Sequence, residues 1–403
     1  HRPDSRLRAR LIHTLGDSGL TVQILLDRLN RPGLDPSQRQ AILLAAAEAT
    51  SAGISPSARS GFVDVADAMF HHDTDPGVHS AAELLLRRFG HETRLEQTGE
   101  PRSILLDHEA SSRGWEVGPN GHTFAILRGP LEFFMGSRLE EDGRQPSEER
   151  HYRRIDRSIA VATKEVTADQ FRKYRGTYKP QGGSAQTPGI VANSVHWYNA
   201  AGYCNWLSRE AKIDQSQWCY PEAIDSSSNP EDMPPSGPIL GEALKKTGYR
   251  LPTEAEWEYF CRAGTETSGP FGESDTLLTR YAWTWRSLKD QVSPPGQLLP
   301  NEFGLFDTLG NVLEWCQDGP KDALKDIYQD PYPTGTVVQP ASDSFRDELV
   351  LDDNFWRYLR GSAYTFPASK ARSAFRDEGP AWQSTPARGF RVVRTIPNNH
   401  KTN

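Results

Sequence analysis

The stretch Asn301–Cys316 constrains this chain more than any other. It reads Asn-Glu-Phe-Gly-Leu-Phe-Asp-Thr-Leu-Gly-Asn-Val-Leu-Glu-Trp-Cys. Two glycines, a turn-forming Asn, acids and aromatics succeed one another too closely for a helix or a strand, so the segment has to curl. Gly304 and Gly310 supply the backbone freedom for that. Asp307 and Glu314 stand on either side of several backbone carbonyls. A curled loop offering carboxylate and carbonyl oxygens suits a hard cation such as Ca²⁺. The plainer account is a turn acid and a surface acid beside a buried Trp315, and on this stretch alone the plainer account prevails.

A chain built round such a loop draws its core from elsewhere. Aliphatic content is modest, but 10 Trp, 13 Tyr and 16 Phe can supply a core. The 29 Pro and 33 Gly point to a loop-rich fold rather than a helical bundle, and 403 residues leave room for two or three domains. A net charge of −7 argues against a nucleic-acid partner, which would want a basic footprint. No apolar run approaches membrane-spanning length, so no membrane partner is expected. No signal peptide is visible. The first residue is His1 rather than Met, which implies a fragment or a processed product.

Residues 1–95 read as helical. Leu7, Leu11, Ile12 and Leu15 make one apolar face, and Val22, Leu25, Leu26 and Leu29 another. Asp35-Pro36 and Asp75-Pro76 are matching helix starts, Asp as N-cap and Pro at the first helical position. A period of about forty residues suits HEAT-like helix pairs. The segment is either a docking surface or a spacer shielding one edge of the next domain. His71-His72 lacks a second ligand pair, so surface histidines are expected there.

Residues 96–114 read as a polar linker. Beyond it the period turns towards two, with short strands at Trp115–Val117, His122–Leu127, Leu131–Met135 and Ile155–Thr163 and a charged loop over Arg138–Arg150. Thr167 with Gln170 and Thr253 with Glu256 form capping boxes that start helices; a third helix is expected over Tyr198–Ala211. Lys212–Gly248 and Gly319–Asn354 read as inserted surface loops. Residues 398–403 are a tail. The fold class is therefore α+β: an all-α, HEAT-like N-terminal segment before a domain over 115–397 rich in irregular structure.

Five ordered motifs identify that domain further: Val195–Leu207, Arg250–Glu258, Asn301–Cys316, Leu359–Gly361 and Gly389–Val393. Together they resemble the formylglycine-generating enzyme (sulfatase-modifying factor) family, from about Phe133 to Arg394. The resemblance implies a distorted C-type-lectin-like fold, shared with the variable proteins of diversity-generating retroelements. It also implies Ca²⁺ bound by the side chains of Asp307 and Glu314 and the carbonyls of Gly310 and Val312. A second family cation site maps onto Thr284-Trp285-Arg286-Ser287-Leu288, whose residues depart from the pattern.

Enzymes of the resembled family oxidise a substrate cysteine with copper and O₂, using two cysteines that map to about Phe366 and Ala371 here. Neither side chain can be a thiolate, and Cu(I) demands sulfur ligands. The iron-dependent branch uses three histidines, but after His151 only His196 and His400 remain. The resemblance therefore implies neither copper nor iron and no catalytic residue. In secreted members, cysteines matching Cys204 and Cys261 are bridged to C-terminal cysteines. Those positions fall at about Val392 and Arg376, so these bridges cannot form, and free thiols suit the cytoplasm.

In the resembled fold the stretches Ala363–Ala371 and Asp377–Ala387 lie along the substrate groove. Ala363, Tyr364, Thr365, Phe366, Ser369, Trp382 and Arg388 are the expected ligand contacts, with Tyr364 and Trp382 the best candidates for exposure. The expected function is a non-catalytic module binding a protein or a small molecule there. It would be a retroelement-diversified variable protein or the sensor part of a bacterial signalling protein. The alternative is an oxidoreductase of the same superfamily with altered chemistry.

Overall fold

The computed structural model describes residues 8–10, 12–14, 22–49, 54–95, 113–182, 187–225, 237–239, 243–287, 291–320, 341–342, 349–351 and 356–397. Nearly all of the linker, the tail and most of the second inserted loop lie outside those residues.

Three N-terminal helices begin alike. Pro36–Glu48, Pro56–His72 and Pro76–Arg88 each carry Pro in the first turn. The caps Asp35, Ser55 and Asp75 accept the N–H of Gln38, Ala58 and Val78. Each cap satisfies a donor that the first turn leaves without an intrahelical partner. With the shorter helix Val22–Leu29 and the helical residues 8–10 and 12–14, they make the all-α part. Their buried Leu43, Phe62, Ala66 and Leu85 belong to the same apolar cluster as Leu127, Ile155, Trp257, Phe260 and Phe303. The helices thus share a core with the second domain.

That domain is held by two main sheets. The larger one is antiparallel, in the order Trp115–Val117, Thr123–Leu127, Ser158–Ala162, Val393–Ile396, Tyr249–Arg250. Every side chain of Ser158–Ala162 is buried, as befits a central strand. The smaller sheet runs Arg376–Pro380, Trp356–Arg360, Leu313–Trp315, Arg388–Gly389, with the last pair parallel. It places Glu314 opposite Arg360 on one side and Gly389 on the other. Aromatic edges fill the space behind: Phe390 meets Phe171 at 5.8 Å and Tyr203 at 5.4 Å.

Both capping boxes form, at Thr167 with Gln170 and at Thr253 with Glu256. The helix Trp197–Glu210 starts one residue before its expected position because the His196 ring accepts the Asn199 N–H. The expected strand Ile155–Thr163 is two strands, His151–Ile155 and Ser158–Ala162, divided at Asp156-Arg157. His151–Ile155 pairs with Leu131–Met135. Its run of half-buried basic side chains hid it from an apolar pattern. Between residues 263 and 312 the described backbone holds one seven-residue helix, Asp275–Tyr281, and two-residue strands. Among the described residues no helix is long and apolar enough to cross a membrane.

Candidate cation loop and C-terminal groove

The loop begins with Asn301, whose side chain replaces secondary structure. Its amide donates to the Phe260 carbonyl at 2.8 Å, while its oxygen accepts the N–H of Phe303 and Leu305. The chain then passes through left-handed conformations at Asp307 (φ 51°), Gly310 (φ 82°) and Asn311 (φ 57°). Gly310 is required there, since a Cβ would lie 2.1 Å from the Trp283 carbonyl oxygen.

Three buried acids converge on this turn. Asp307 Oδ2 accepts the Gly296 N–H at 2.6 Å, and Asp307 Oδ1 has no hydrogen-bond partner. Glu165 accepts the Asn311 side-chain amide at 2.6 Å and the Val312 N–H at 3.4 Å. Glu314 is clasped by Arg391 at 2.8 Å and by the Trp257 indole at 2.9 Å. Burial pushes Asp307 up to about 6, against the pull of the Gly296 N–H, Arg391 and Lys164. Burial, with the charges of Asp307 and Glu314, raises Glu165 well above the ordinary carboxylate range.

Among the described residues no three His, Cys, Asp or Glu side chains stand as a ready-made metal centre, so a cation here would have to use backbone oxygens as well. The orphaned Asp307 oxygen and the surplus of buried negative charge fit a hard cation. Of the expected ligands, Asp307 has the unengaged oxygen. Glu314 is engaged by Arg391 and Trp257 and would have to share. Glu165 is an acid that the sequence reading missed, because nothing in Thr163–Thr167 marks a glutamate as buried. Of the segment matching a second cation site, Thr284–Ser287 is a tight turn in which the Ser287 N–H donates to the Thr284 carbonyl, and Leu288 lies outside the described residues.

The C-terminal segment divides by exposure. Thr365, Ser369 and Trp382 are exposed and Phe366 is half-buried. The expected exposure of Tyr364 is corrected. Its N–H donates to the Asn311 carbonyl at 3.0 Å, and its ring packs with Ile190, Val191, Val292 and Val312. Ala363 is also buried, and Arg388 is nearly so, its guanidinium 5.1 Å over Trp315 and donating to Gln383. At the two positions that would carry cysteines, Ala371 is buried in the core. Phe366 stands edge-on to Phe375 at 6.0 Å, under the Lys370 ammonium at 4.5 Å. Trp285 joins this patch unforeseen: it is 59% exposed and its N–H donates to the Phe366 carbonyl. All four cysteines are buried thiols outside any disulfide. Burial pushes the thiols of Cys219 and Cys261 up to about 11, so both are protonated at neutral pH.

Comparison with known proteins bears on the family and the fold. Residues 116–396 match the sulfatase-modifying factor enzyme 1-like domain. The chain is similar to the chaperone protein LppX of Paenibacillus barcinonensis, 24% identical over 249 residues that cover 57% of this chain and 78% of that one. It is 35% identical to the formylglycine-generating enzyme of Streptomyces coelicolor over 204 residues, covering 44% of this chain and 62% of the enzyme, just under two thirds of its length. Variable protein 1 of Treponema denticola superposes with a TM-score of 0.52 at 21% identity, covering 68% of this chain and 95% of that one, and shares the fold.

Proposed function

Because the chain belongs to the sulfatase-modifying factor enzyme 1-like family, we propose that it uses the family scaffold as a non-catalytic binding module. It takes a protein or small-molecule ligand along residues 363–388 and holds Ca²⁺ structurally at the Asp307 loop. One observation carries this reading: Phe366 and Ala371 occupy the two positions where the resembled enzymes have cysteines, and both are packed as apolar side chains. Neither can ligate Cu(I). The four existing thiols are buried away from the groove surface. What the segment presents instead is Thr365, Ser369, Trp382 and part of Phe366, with Trp285 beside them. Aromatic faces among small polar groups are the usual anchors of an interface.

Thiols outside disulfides suit a reducing compartment, and the cytoplasm is the compartment this reading assigns. The Treponema denticola neighbour is named a variable protein. A retroelement-diversified receptor is therefore one form the module takes, and a template repeat near a reverse-transcriptase gene would mark it. The catalytic question is tested with purified protein, copper, O₂ and a cysteine-containing peptide, followed by mass spectrometry. No aldehyde should form; turnover to the aldehyde would overturn the reading. Elemental analysis should find calcium, and stoichiometric copper or iron would point to the altered oxidoreductase instead.

A further inference from the structure

The helical segment grips the cation loop at close range. Gln40 Nε2 donates to the Asn301 carbonyl at 3.0 Å, and Arg8 pairs with Glu302 at 3.1 Å. The backbones touch: a Cβ on Gly304 would lie 2.3 Å from the Pro76 carbonyl, and one on Gly77 would lie 2.6 Å from the Glu302 carbonyl. Two positions past Gly304's neighbour Leu305 comes Asp307, the acid with the unengaged oxygen.

One ion pair connects the two parts electrostatically. Lys164 precedes Glu165 and runs past the cation loop: its Cε lies where a Cβ of Gly296 would come within 2.7 Å, and Gly296 is the residue whose N–H holds Asp307. Its ammonium stands 5.4 Å from the centre of the Phe306 ring and feels the charge of Asp307. It ends on Glu83 of the helix Pro76–Arg88, which also takes Arg87 at 2.8 Å. Glu83 is 6% exposed and the Lys164 side chain 22% exposed, so solvent screens this pair little.

We propose that Glu83 is a positioning residue for the cation site. By drawing the Lys164 ammonium onto the helical segment, it keeps a competing positive charge off Asp307 and leaves that carboxylate to a divalent cation. The helix Pro76–Arg88 and the cation then stabilise each other, because the cation favours the loop shape that the helix grips, and linkage makes the effect reciprocal. This inference rests on the reading of the Asp307 loop as a cation site. It gives the helical segment a task inside the molecule, which neither a spacer nor a docking surface requires.

The test is titration of the metal-stripped protein with CaCl₂ by calorimetry, for the unmodified chain, Glu83→Gln and Lys164→Met. Glu83→Gln releases the ammonium towards Asp307 and should weaken Ca²⁺ binding by about fivefold or more. Lys164→Met removes the competing charge while Glu83 keeps Arg87, and should tighten binding. Hydrogen exchange provides a second readout: Ca²⁺ should slow exchange of the Pro76–Arg88 amides in the unmodified chain. Equal affinity in all three proteins, with those amides indifferent to Ca²⁺, overturns the inference and leaves the cation site standing. Absence of Ca²⁺ binding to the unmodified chain overturns both. If Glu83→Gln fails to fold, an unchanged or weaker affinity in Lys164→Met is sufficient to refute the proposal.

Discussion

Removing Arg391 should cost this protein more than removing its partner Glu314, and the structure says why. Both side chains are fully buried, with a nitrogen–oxygen distance of 2.8 Å. Arg391 also donates to the carbonyls of Ala162 at 3.0 Å and Phe306 at 2.7 Å. Arg391→Met therefore strands Glu314, leaves Glu165 and Asp307 without their shared cation, and unpairs two buried acceptors. Breaking one side of a buried ion pair costs about 3–5 kcal/mol, and the two carbonyls place this variant at the upper end of that range. Glu314→Gln is a different loss. Arg391 keeps both carbonyls and still faces the charges of Glu165 and Asp307, which act on it across the same turn. Its cost should be about 1–3 kcal/mol, the range for a buried charged hydrogen bond. The double variant should recover part of the Arg391→Met loss, since two neutral side chains strand no charge. Urea unfolding with linear extrapolation measures all three. The reasoning is refuted if Glu314→Gln destabilises as much as Arg391→Met, or if the double variant is simply the sum of the singles.

Gly310→Ala should cost about 2–5 kcal/mol in the same assay, from left-handed strain at φ 82° and a methyl 2.1 Å from the Trp283 oxygen; a loss below about 1 kcal/mol would mean the turn can shift. Acid should destabilise the fold through buried histidines. Burial holds His79, His122 and His196 down to about 4, 3 and 4, so the unfolded chain binds the extra protons. Their stabilisation is complete above about pH 6.5 and is lost as pH falls through about 4, or about 3 for His122, with about 3 kcal/mol at stake for His79. The raised carboxyls of Asp307 and Glu165 act in the opposite sense over the same range, so the histidine share is read as a difference: between pH 7 and pH 4.5, His79→Phe should lose less unfolding free energy, or gain more, than the unmodified chain, and identical pH profiles would refute the assignment.

What the sequence made legible was local. Capping boxes at Thr167 and Thr253, and the Asp-Pro starts at Asp35 and Asp75, lie within four residues and need no tertiary partner. The curl that begins at Asn301 was readable from its glycines and asparagine, but the end of the same stretch, Leu313–Trp315, is a sheet strand where no strand was expected. Burial was not readable where it contradicts polarity. Glu165 and Arg391 look like surface charges in their own segments, yet they face each other's neighbourhood from positions more than two hundred residues apart. Tyr364 misled in the opposite sense. Set among small and polar residues it looked exposed, but its neighbours in space are four aliphatic side chains from three other segments.

The same distinction explains how the fold closes without the disulfides that its secreted relatives are expected to have. One such bridge would join Cys204 to the position of Val392, and here both side chains lie in one apolar cluster with Trp197, Tyr203 and Phe390. The other would join Cys261 to the position of Arg376. Arg376 instead pairs with Glu254 at 2.8 Å and donates to the Ser147 carbonyl, while Cys261 donates to the hydroxyl of Ser373. Both cross-connections survive as packing and charge. A covalent link stabilises chiefly by restricting the unfolded chain, whereas these contacts act only in the folded one. Arg372 with Glu148 at 2.8 Å, Arg250 with Glu256 at 2.7 Å and Arg262 with Glu258 at 2.8 Å add buried pairs around the same irregular backbone. Such pairs are costly to break and add little net stability over apolar packing. The Arg372–Glu148 pair joins segments far apart in sequence and so helps fix which loop meets which in a domain with so little regular structure.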